Sequence, residues 1–379
     1  MKICFWGNIS NTFKGHTPGG GELQITLLAK ALATAGHEVV VIDPGGNEDF
    51  VTTEGITIIT VKGWDNGIKM LRTFTHRLPQ FYSLLKKQNA DIYYCRIRDF
   101  RHILVYWASR KVKAKFVLGL ASDIDILNFR QRLTFYYFAQ KRELWTLFSG
   151  ILIEMIYPFL LKKSDLILSQ HEGQKLEFEK KKIKSVVNPN LIDMTLIPNV
   201  INPVREEFIY VGSIKKRKGI AEFYELVTRS PNLKFKVIGQ PSDKTGFLYL
   251  DMLKSCSNVK LLGRLSHSDT ILEIANSKAI ISTSKVEGFP NIFIESWAYG
   301  ISVFSLYVNP GNIIEREKLG YFANGNIDNL TEKLNSFDTP AEVDLNAKRY
   351  VIVTHALNEK KIADIDTIFK GLIQIVKSN

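Results

Sequence analysis

The sequence predicts an α/β protein made of two tandem doubly wound domains, each with a parallel sheet. Three observations predict it. The chain has 379 residues, too many for one ordinary core and enough for two domains of about two hundred residues each. Short β-branched and aromatic runs alternate with helical patterns along its length, which is βαβ punctuation. The rhythm breaks once, at mid-chain, in a segment rich in Asn and Pro, and then restarts.

The elements follow in order. "KICFWGN" reads as the first strand. The glycine-rich loop "TPGGGELQ" (Thr17 to Gln24) leads into "LQITLLAKALATAG", whose apolar residues recur at helical spacing and whose Gly36 suits a C-cap. "HEVVVIDP", "ITIITVKG", "DIYYCRI", "KFVLGLAS" and "DLILSQ" read as later strands. "NPNLIDMTLIPNVINP" holds four Asn and three Pro and has no helical period. It places an N-terminal domain at 1–190, a linker at 191–205 and a C-terminal domain at 206–379, the last helix having the option of packing back on the first domain. After the break come "EFIYVGS", a helix from about Gly219, "LKFKVIG", "VKLLGR", the helix "HSDTILEIANS", "AIISTS" and "ISVFSLY". Doubly wound domains bind ligands at the carboxyl ends of their strands, so the expected site is a cleft between the two sheets.

Composition narrows the class. Hydrophobic residues make up 45% of the chain, as in an ordinary globular protein. Cys4, Cys95 and Cys256 match no disulfide or metal spacing, which suits a reducing compartment. The longest apolar stretch, "FSGILIEMIYPFLL" (Phe148 to Leu161), is too short to span a bilayer and is interrupted by Glu154 and Pro158. The N-terminus lacks the pattern of a secretory leader, so a cytoplasmic location is expected. The net charge of +12 admits nucleic acid, anionic lipid or phosphorylated substrates as partners. No RNA-binding or zinc-finger signature accompanies it, so nucleic acid is not expected.

Three motifs carry chemistry. Consecutive glycines at Gly19, Gly20 and Gly21, before a helix, let a backbone approach a ligand closely. "YVGSIKKRKGI" (Tyr210 to Ile220) sets Lys218 between a strand end and a helix start, where peptide N–H groups already attract phosphate. "KVEGFPNIFIESWAYG" (Lys285 to Gly300) holds Glu287 and Glu295, separated by seven residues. The Gly288-Phe289-Pro290 turn stands between them and a helix begins at Asn291. Carboxylates accept paired hydrogen bonds from vicinal hydroxyls, and the amides at a helix start suit a phosphate between them. Two ordinary surface glutamates would fit the spacing as well. "SDID" (Ser122 to Asp125) offers an Asp-x-Asp pair of the metal-binding kind, but the histidines show no metal-ligand spacing, and His37 and His171 read as structural.

"EGFPNIFIESWAYG" resembles the glutamate–seven residues–glutamate motif of retaining glycosyltransferase family 4, whose members have the GT-B fold. "MKICFWGN…PGGGELQITLLAKALATAGHEVVVI" resembles the family's opening, and "KSDLILSQHEGQKLEF" the end of its N-terminal domain. "FIYVGSIKKRKGI" and "VKLLGRLSHSDTILEIANSKAIISTS" follow in the family's order. The resemblance covers nearly the whole chain. It implies that Glu287 faces the donor sugar and Glu295 the nucleotide ribose. Phe289, Pro290, Asn291 and Ile292, with Gly288, match the turn whose amides face sugar and diphosphate. Lys218 matches the residue that neutralises the diphosphate. Arg264 and Leu265 lie where the family packs the base, and Gly20 and Gly21 match the loop near diphosphate and acceptor. Two departures stand out. The family's arginine in the "VG" turn is Ser213 here, with Lys215, Lys216 or Arg217 available to replace it. Its histidine after the "KFVLGLAS" strand is replaced by Ser122 and Asp123, which leaves Asp123 as a candidate sugar contact.

The resemblance implies a retaining, metal-independent hexosyltransferase without a cofactor. It would move a sugar from a nucleotide-diphosphate donor to a saccharide acceptor, a lipid-linked one in bacterial cell-surface polysaccharide or glycoconjugate synthesis. The basic, aromatic-rich segment Phe129 to Lys163 offers either a covered core helix or a peripheral contact with an anionic membrane at the inner face of the plasma membrane. Two alternatives stay open: a GT-B-fold epimerase or phosphorylase, and a non-catalytic partner subunit, which the loss of the arginine at Ser213 allows.

Overall fold

The structure, a computed structural model, describes all residues except 14–18, 47, 64–65, 69–70, 134–143, 201–202, 339–340 and 378–379. The chain divides into two compact units, Met1–Leu191 with Leu357–Asn379, and Ile192–Ala356.

Unit 1 is built on eight strands: β1 (Lys2–Trp6), β2 (Glu38–Asp43), β3 (Phe50–Val51), β4 (Thr57–Thr60), β5 (Ile92–Arg96), β6 (Lys115–Gly119), β7 (Leu166–Ser169) and β8 (Ser185–Val187). Their order is β3-β4-β2-β1-β5-β6-β7-β8. Every pairing is parallel except that of the edge strand β3, which runs antiparallel to β4. The expected parallel sheet is therefore corrected at one edge. The cause is local: Gly55, with φ +79°, turns the chain back so that Thr52 N donates to the Ile56 carbonyl at 2.9 Å. Both faces of the sheet are covered. Ile3 and Phe5 enter one core, Cys4 and Trp6 the other, as alternation along a strand requires.

The helix Gly20–Thr34 buries Ile25, Leu27, Leu28, Ala29, Ala31 and Leu32. It stops where Gly36 takes φ +84° and His37 N donates back to the Leu32 carbonyl at 3.1 Å, a glycine C-terminal cap. The helix Glu359–Lys377 lays Ile365, Phe369 and Leu372 on the same core, and His37 Nε2 lies 2.8 Å from Asp366 Oδ1.

Unit 2 holds β9 (Phe208–Val211), β10 (Phe235–Ile238), β11 (Val259–Gly263), β12 (Ala279–Ser282), β13 (Ser302–Ser305) and β14 (Gly320–Phe322), in the order β11-β10-β9-β12-β13-β14 and all parallel. Phe208 and Tyr210 face one core and Ile209 the other. Ile192 bridges to Ala356 and is buried in this unit. β3, β8 and β14 have no counterpart among the expected strands. Each is two or three residues long, too short to show a period.

Candidate functional site

In unit 2 the strand order reverses between β9 and β12, which pair side by side although two further strands separate them in sequence. Ligands of doubly wound sheets bind outside the carboxyl ends of strands at such a switch point. The loops leaving these two strands are Gly212–Gly219 and Thr283–Pro290, the two motifs singled out in the sequence. Gly219 lets them meet. Its φ is +69°, and a Cβ on it would lie 1.9 Å from the Thr283 carbonyl oxygen, so no side chain fits. Thr283 Oγ1 donates to the Lys218 carbonyl at 3.1 Å, and Lys285 N donates to the Arg217 carbonyl at 3.1 Å.

This seam brings Lys218 Nζ to 2.6 Å from Glu287 Oε1. Burial would raise the Glu287 carboxyl. The Lys218 ammonium, aided by Arg217 and the Ser284 hydroxyl, outweighs burial and holds it below the usual carboxylate range. Lys215 stands next in the loop, half-buried. Burial and then the Arg217 and Lys218 cations push its ammonium below its ordinary value. Ser213 follows Gly212 at the end of β9 and is half-buried.

Pro290 precedes the helix Asn291–Ala298, and no side chain caps that helix start. The first backbone N–H groups of a helix have no partner within it. Gly288 is buried, and Pro290, Asn291 and Ile292 are half-buried. The Phe289 ring is in the core, 4.9 Å from the His355 ring and 6.1 Å from Trp297. Phe289 thus anchors the turn by its side chain and leaves only its backbone for a ligand.

Glu295 lies on the same helix and is 8% exposed. Its Oε1 is 2.9 Å from Nε2 of His267, the first residue of the helix His267–Ala275. That hydrogen bond lifts the His267 imidazole above its ordinary value, against the opposing effect of burial. The sequence reading missed His267. Its partner is 28 residues away, and the only local signal is a histidine at the first position of a helix. Exposed Arg264 and half-buried Leu265 stand just before it, at the end of β11.

Unit 1 carries the other expected residues. Gly20 and Gly21 open the helix Gly20–Thr34, and Glu22 Oε2 accepts from Gly19 N at 2.8 Å. A Cβ on Gly21 would lie 2.5 Å from Ile97 Cδ1. Thr17 and Pro18 of that loop lie outside the described residues. Asp123 Oδ1 accepts from Gln174 Nε2 at 2.8 Å and lies 3.0 Å from His171 Nε2. Asp125 does not join it. Its carboxylate turns inward to the amides of Ala121 and Ser122 and to Arg98. The two acids of "SDID" therefore diverge. Among the described residues, no group of three or more His, Cys, Asp and Glu is placed to hold a metal ion.

Part of the segment Phe129 to Lys163 lies outside the described residues. Its final helix, Leu144–Lys163, is held by Glu154, whose oxygens take Arg98 at 2.7 Å and Arg132 at 2.6 Å. Among the described residues no helix is long and apolar enough to cross a membrane.

The architecture is that of two doubly wound α/β units, and comparison with known proteins identifies the family. Residues 18–196 match the model of "Glycosyltransferase Family 4" and residues 197–350 that of "Glycosyl transferases group 1". The chain belongs to glycosyltransferase family 4, a retaining family, and is an enzyme that transfers sugar from a nucleotide-sugar donor. An uncharacterized glycosyltransferase of Haemophilus influenzae is 23% identical over 337 residues, covering 84% of this chain and 86% of the relative. The chain's fold is similar to that of sucrose-phosphate synthase from Thermosynechococcus elongatus, with a TM-score of 0.75, 15% identity and coverage of 99% and 100%. It is also similar to WaaG, a glycosyltransferase involved in lipopolysaccharide biosynthesis, with a TM-score of 0.68, 16% identity and coverage of 97% and 99%. These likenesses show a GT-B-like fold, with the two α/β sheets described above.

Proposed function

We propose that unit 2 binds the donor across the start of the helix Asn291–Ala298, with the transferring sugar toward Glu287, the diphosphate over the Gly288–Ile292 turn and the ribose on Glu295. The observation that carries this reading is the Lys218–Glu287 pair at 2.6 Å beside that uncapped helix start. It puts an ammonium and peptide N–H groups where a leaving diphosphate gains charge. Lys215, half-buried beside Lys218, takes the place of the arginine missing at Ser213. Arg264 and Leu265 border the base. No step calls for a metal. Transfer is by front-face attack, and the leaving phosphate takes the acceptor's proton. Glu287 positions the sugar.

In the same reading unit 1 binds a saccharide acceptor, with the Gly20–Gly21 loop and Asp123 among its contacts. The acceptor is lipid-linked, in the synthesis of a cell-surface polysaccharide. The helix Leu144–Lys163 favours this. Ile151, Met155 and Phe159 are exposed at 46%, 69% and 41% in one stripe that ends in exposed Lys162 and Lys163. Exposed Trp107 lies on the neighbouring helix His102–Lys111, whose Arg110 donates to the Lys163 carbonyl. Apolar side chains edged by cations suit an anionic bilayer surface. Flotation with vesicles containing phosphatidylglycerol should carry the protein upward at low salt and less so at high salt. Met155→Glu should weaken it, and flotation indifferent to both would remove the membrane contact.

The donor assignment is tested on the two glutamates. Glu295→Ala removes ribose contacts made in ground and transition states alike, so donor KM should rise while kcat changes less. The expected loss is about 1.5–3 kcal/mol, as for hydrogen bonds to a charged group. Glu287→Gln touches the transferring sugar, so kcat should fall more than KM rises. Calorimetry with a nucleoside diphosphate should find weak binding in the first variant and near-native binding in the second. Native-like binding in both would refute the ribose role.

A further inference from the structure

The donor reading leaves a difficulty at Glu295. A carboxylate is a good acceptor for ribose hydroxyls, but it is also a negative charge buried close to a ligand that carries a diphosphate. Other charges in the loops serve the phosphate end: Lys218 sits on Glu287, and Lys215 and Arg217 stand in the same loop. At the ribose end the neighbouring group is His267, 2.9 Å from Glu295 Oε1.

We propose that His267 is a positioning residue of the donor site: it holds one oxygen of Glu295, fixes the carboxylate plane and cancels its charge, so that ribose hydroxyls can be bound beside a diphosphate. The inference rests on the donor reading above. Its geometry is specific. Ser266 caps the helix His267–Ala275 by accepting from Asp269 N, which fixes His267 at the first helical position. The imidazole is partly exposed, at 37%, whereas Glu295 is 10% exposed at the side chain. His267 therefore covers one oxygen of an otherwise enclosed carboxylate. An sp² oxygen has two acceptor sites, so Oε1 keeps one and Oε2 keeps both for hydroxyls.

Few charges compete for the imidazole. On the packed helix Asn291–Ala298 the charged residue is Glu295 itself. Strand β9, which also packs on the His267 helix, carries none. On its own helix Asp269 is taken by the Ser266 hydroxyl at 2.6 Å and Glu273 by Lys236 at 2.9 Å. The Glu295 hydrogen bond raises the imidazole's pKa, so the cation persists to higher pH than in a free histidine. Once that proton leaves, the pair carries a full negative charge beside the diphosphate, and anionic ligands should bind more weakly.

The test is calorimetry of UDP, ADP, GDP and CDP, using the tightest binder, on the full chain and on His267→Gln and Glu295→Ala. His267→Gln keeps an amide donor and loses the charge, and the comparison cancels the nucleotide's own ionisation. Near pH 6 His267→Gln should bind about three- to tenfold more weakly than wild type, and the gap should close by pH 9 as the native imidazole becomes neutral. A pH-independent ratio of one, with Glu295→Ala weakened, would overturn the role of His267 and leave the ribose assignment standing. Tighter binding by His267→Gln would also overturn it, since His267 would then compete with ribose for Glu295. Native-like binding by Glu295→Ala, or no binding of any of the four nucleotides, would refute the donor reading itself. Matched thermal melts of the variants guard against a loss caused by unfolding.

Discussion

At the scale of single residues the candidate site is a set of paired charges. Lys218 is the central one. It is tied to Glu287 at 2.6 Å, so in the proposed donor reading the ammonium already stands where charge develops on the leaving group. Lys218→Ala should lower kcat about a hundredfold, close to 3 kcal/mol in the transition state. Stability should fall less, because both side chains keep some contact with water and Glu287 can take up a proton. Rates unchanged at saturating donor would show that Lys218 faces solvent and has no part in departure of the diphosphate. The reading of Lys218 and Glu287 as neighbours in function came from their motifs. Their contact across 69 residues, and that of His267 with Glu295, belongs to the fold.

At the scale of elements, short helices carry polar groups into the core at defined cost. The helix His102–Lys111 buries His102 in the same stripe as Val105 and Ala108. Neither ring nitrogen of His102 has a hydrogen-bond partner among the described residues. Burial, with a contribution from Arg101 and against the pull of Asp99, brings its pKa down to about 4. The unfolded chain takes up that proton at about 6.5 and the folded chain resists it. The ionisation of His102 thus costs no stability above about pH 6.5, and the penalty grows as pH falls from there to the folded value near 4, below which it levels off. The total is on the order of 3 kcal/mol. Urea melts at pH 7.5 and 4.5 should show this loss in wild type and a smaller one in His102→Leu. Equal losses in the two would exclude His102 as the source. The helix Leu144–Lys163 shows why its apolar run is not continuous. Glu154 is the residue that ties it to Arg98 and Arg132, and Tyr157, Leu160 and Leu161 fill the core beside it.

At the scale of the molecule, charge and fold point to the same kind of substrate. A chain with a net charge of +12 attracts phosphates, and unit 2 concentrates cations at its switch point. In the proposed donor reading, Lys218 and helix amides supply the positive potential that a divalent ion could otherwise supply. Activity should therefore survive excess EDTA with less than about a twofold change, well within 1 kcal/mol. A loss on chelation that a divalent ion restores would overturn this reading.

The amino-acid sequence by itself determined the two α/β units, most of their strands, the glycine turns and the order of the loop motifs. These follow from local periods and from backbone conformations that only glycine adopts, and both are written in consecutive residues. Gly36 was legible as a C-cap for that reason, whereas Gly219 was legible only as the start of a helix and its left-handed backbone was not. Tertiary structure alone decided which polar groups meet. Asp123 was singled out in sequence, yet its partners His171 and Gln174 come from the N-cap and first turn of the helix Glu172–Lys180, and Asp125 turns to Arg98 instead. The two- and three-residue strands β3, β8 and β14 are strands only because a neighbour offers its edge. The sequence left open whether the last helix packs back on the first domain, and packing decides it: Leu357–Asn379 joins the first unit by burying Ile365, Phe369 and Leu372. Local sequence carries no record of a partner tens or hundreds of residues away, and contact energy at that distance exists only once the chain has folded.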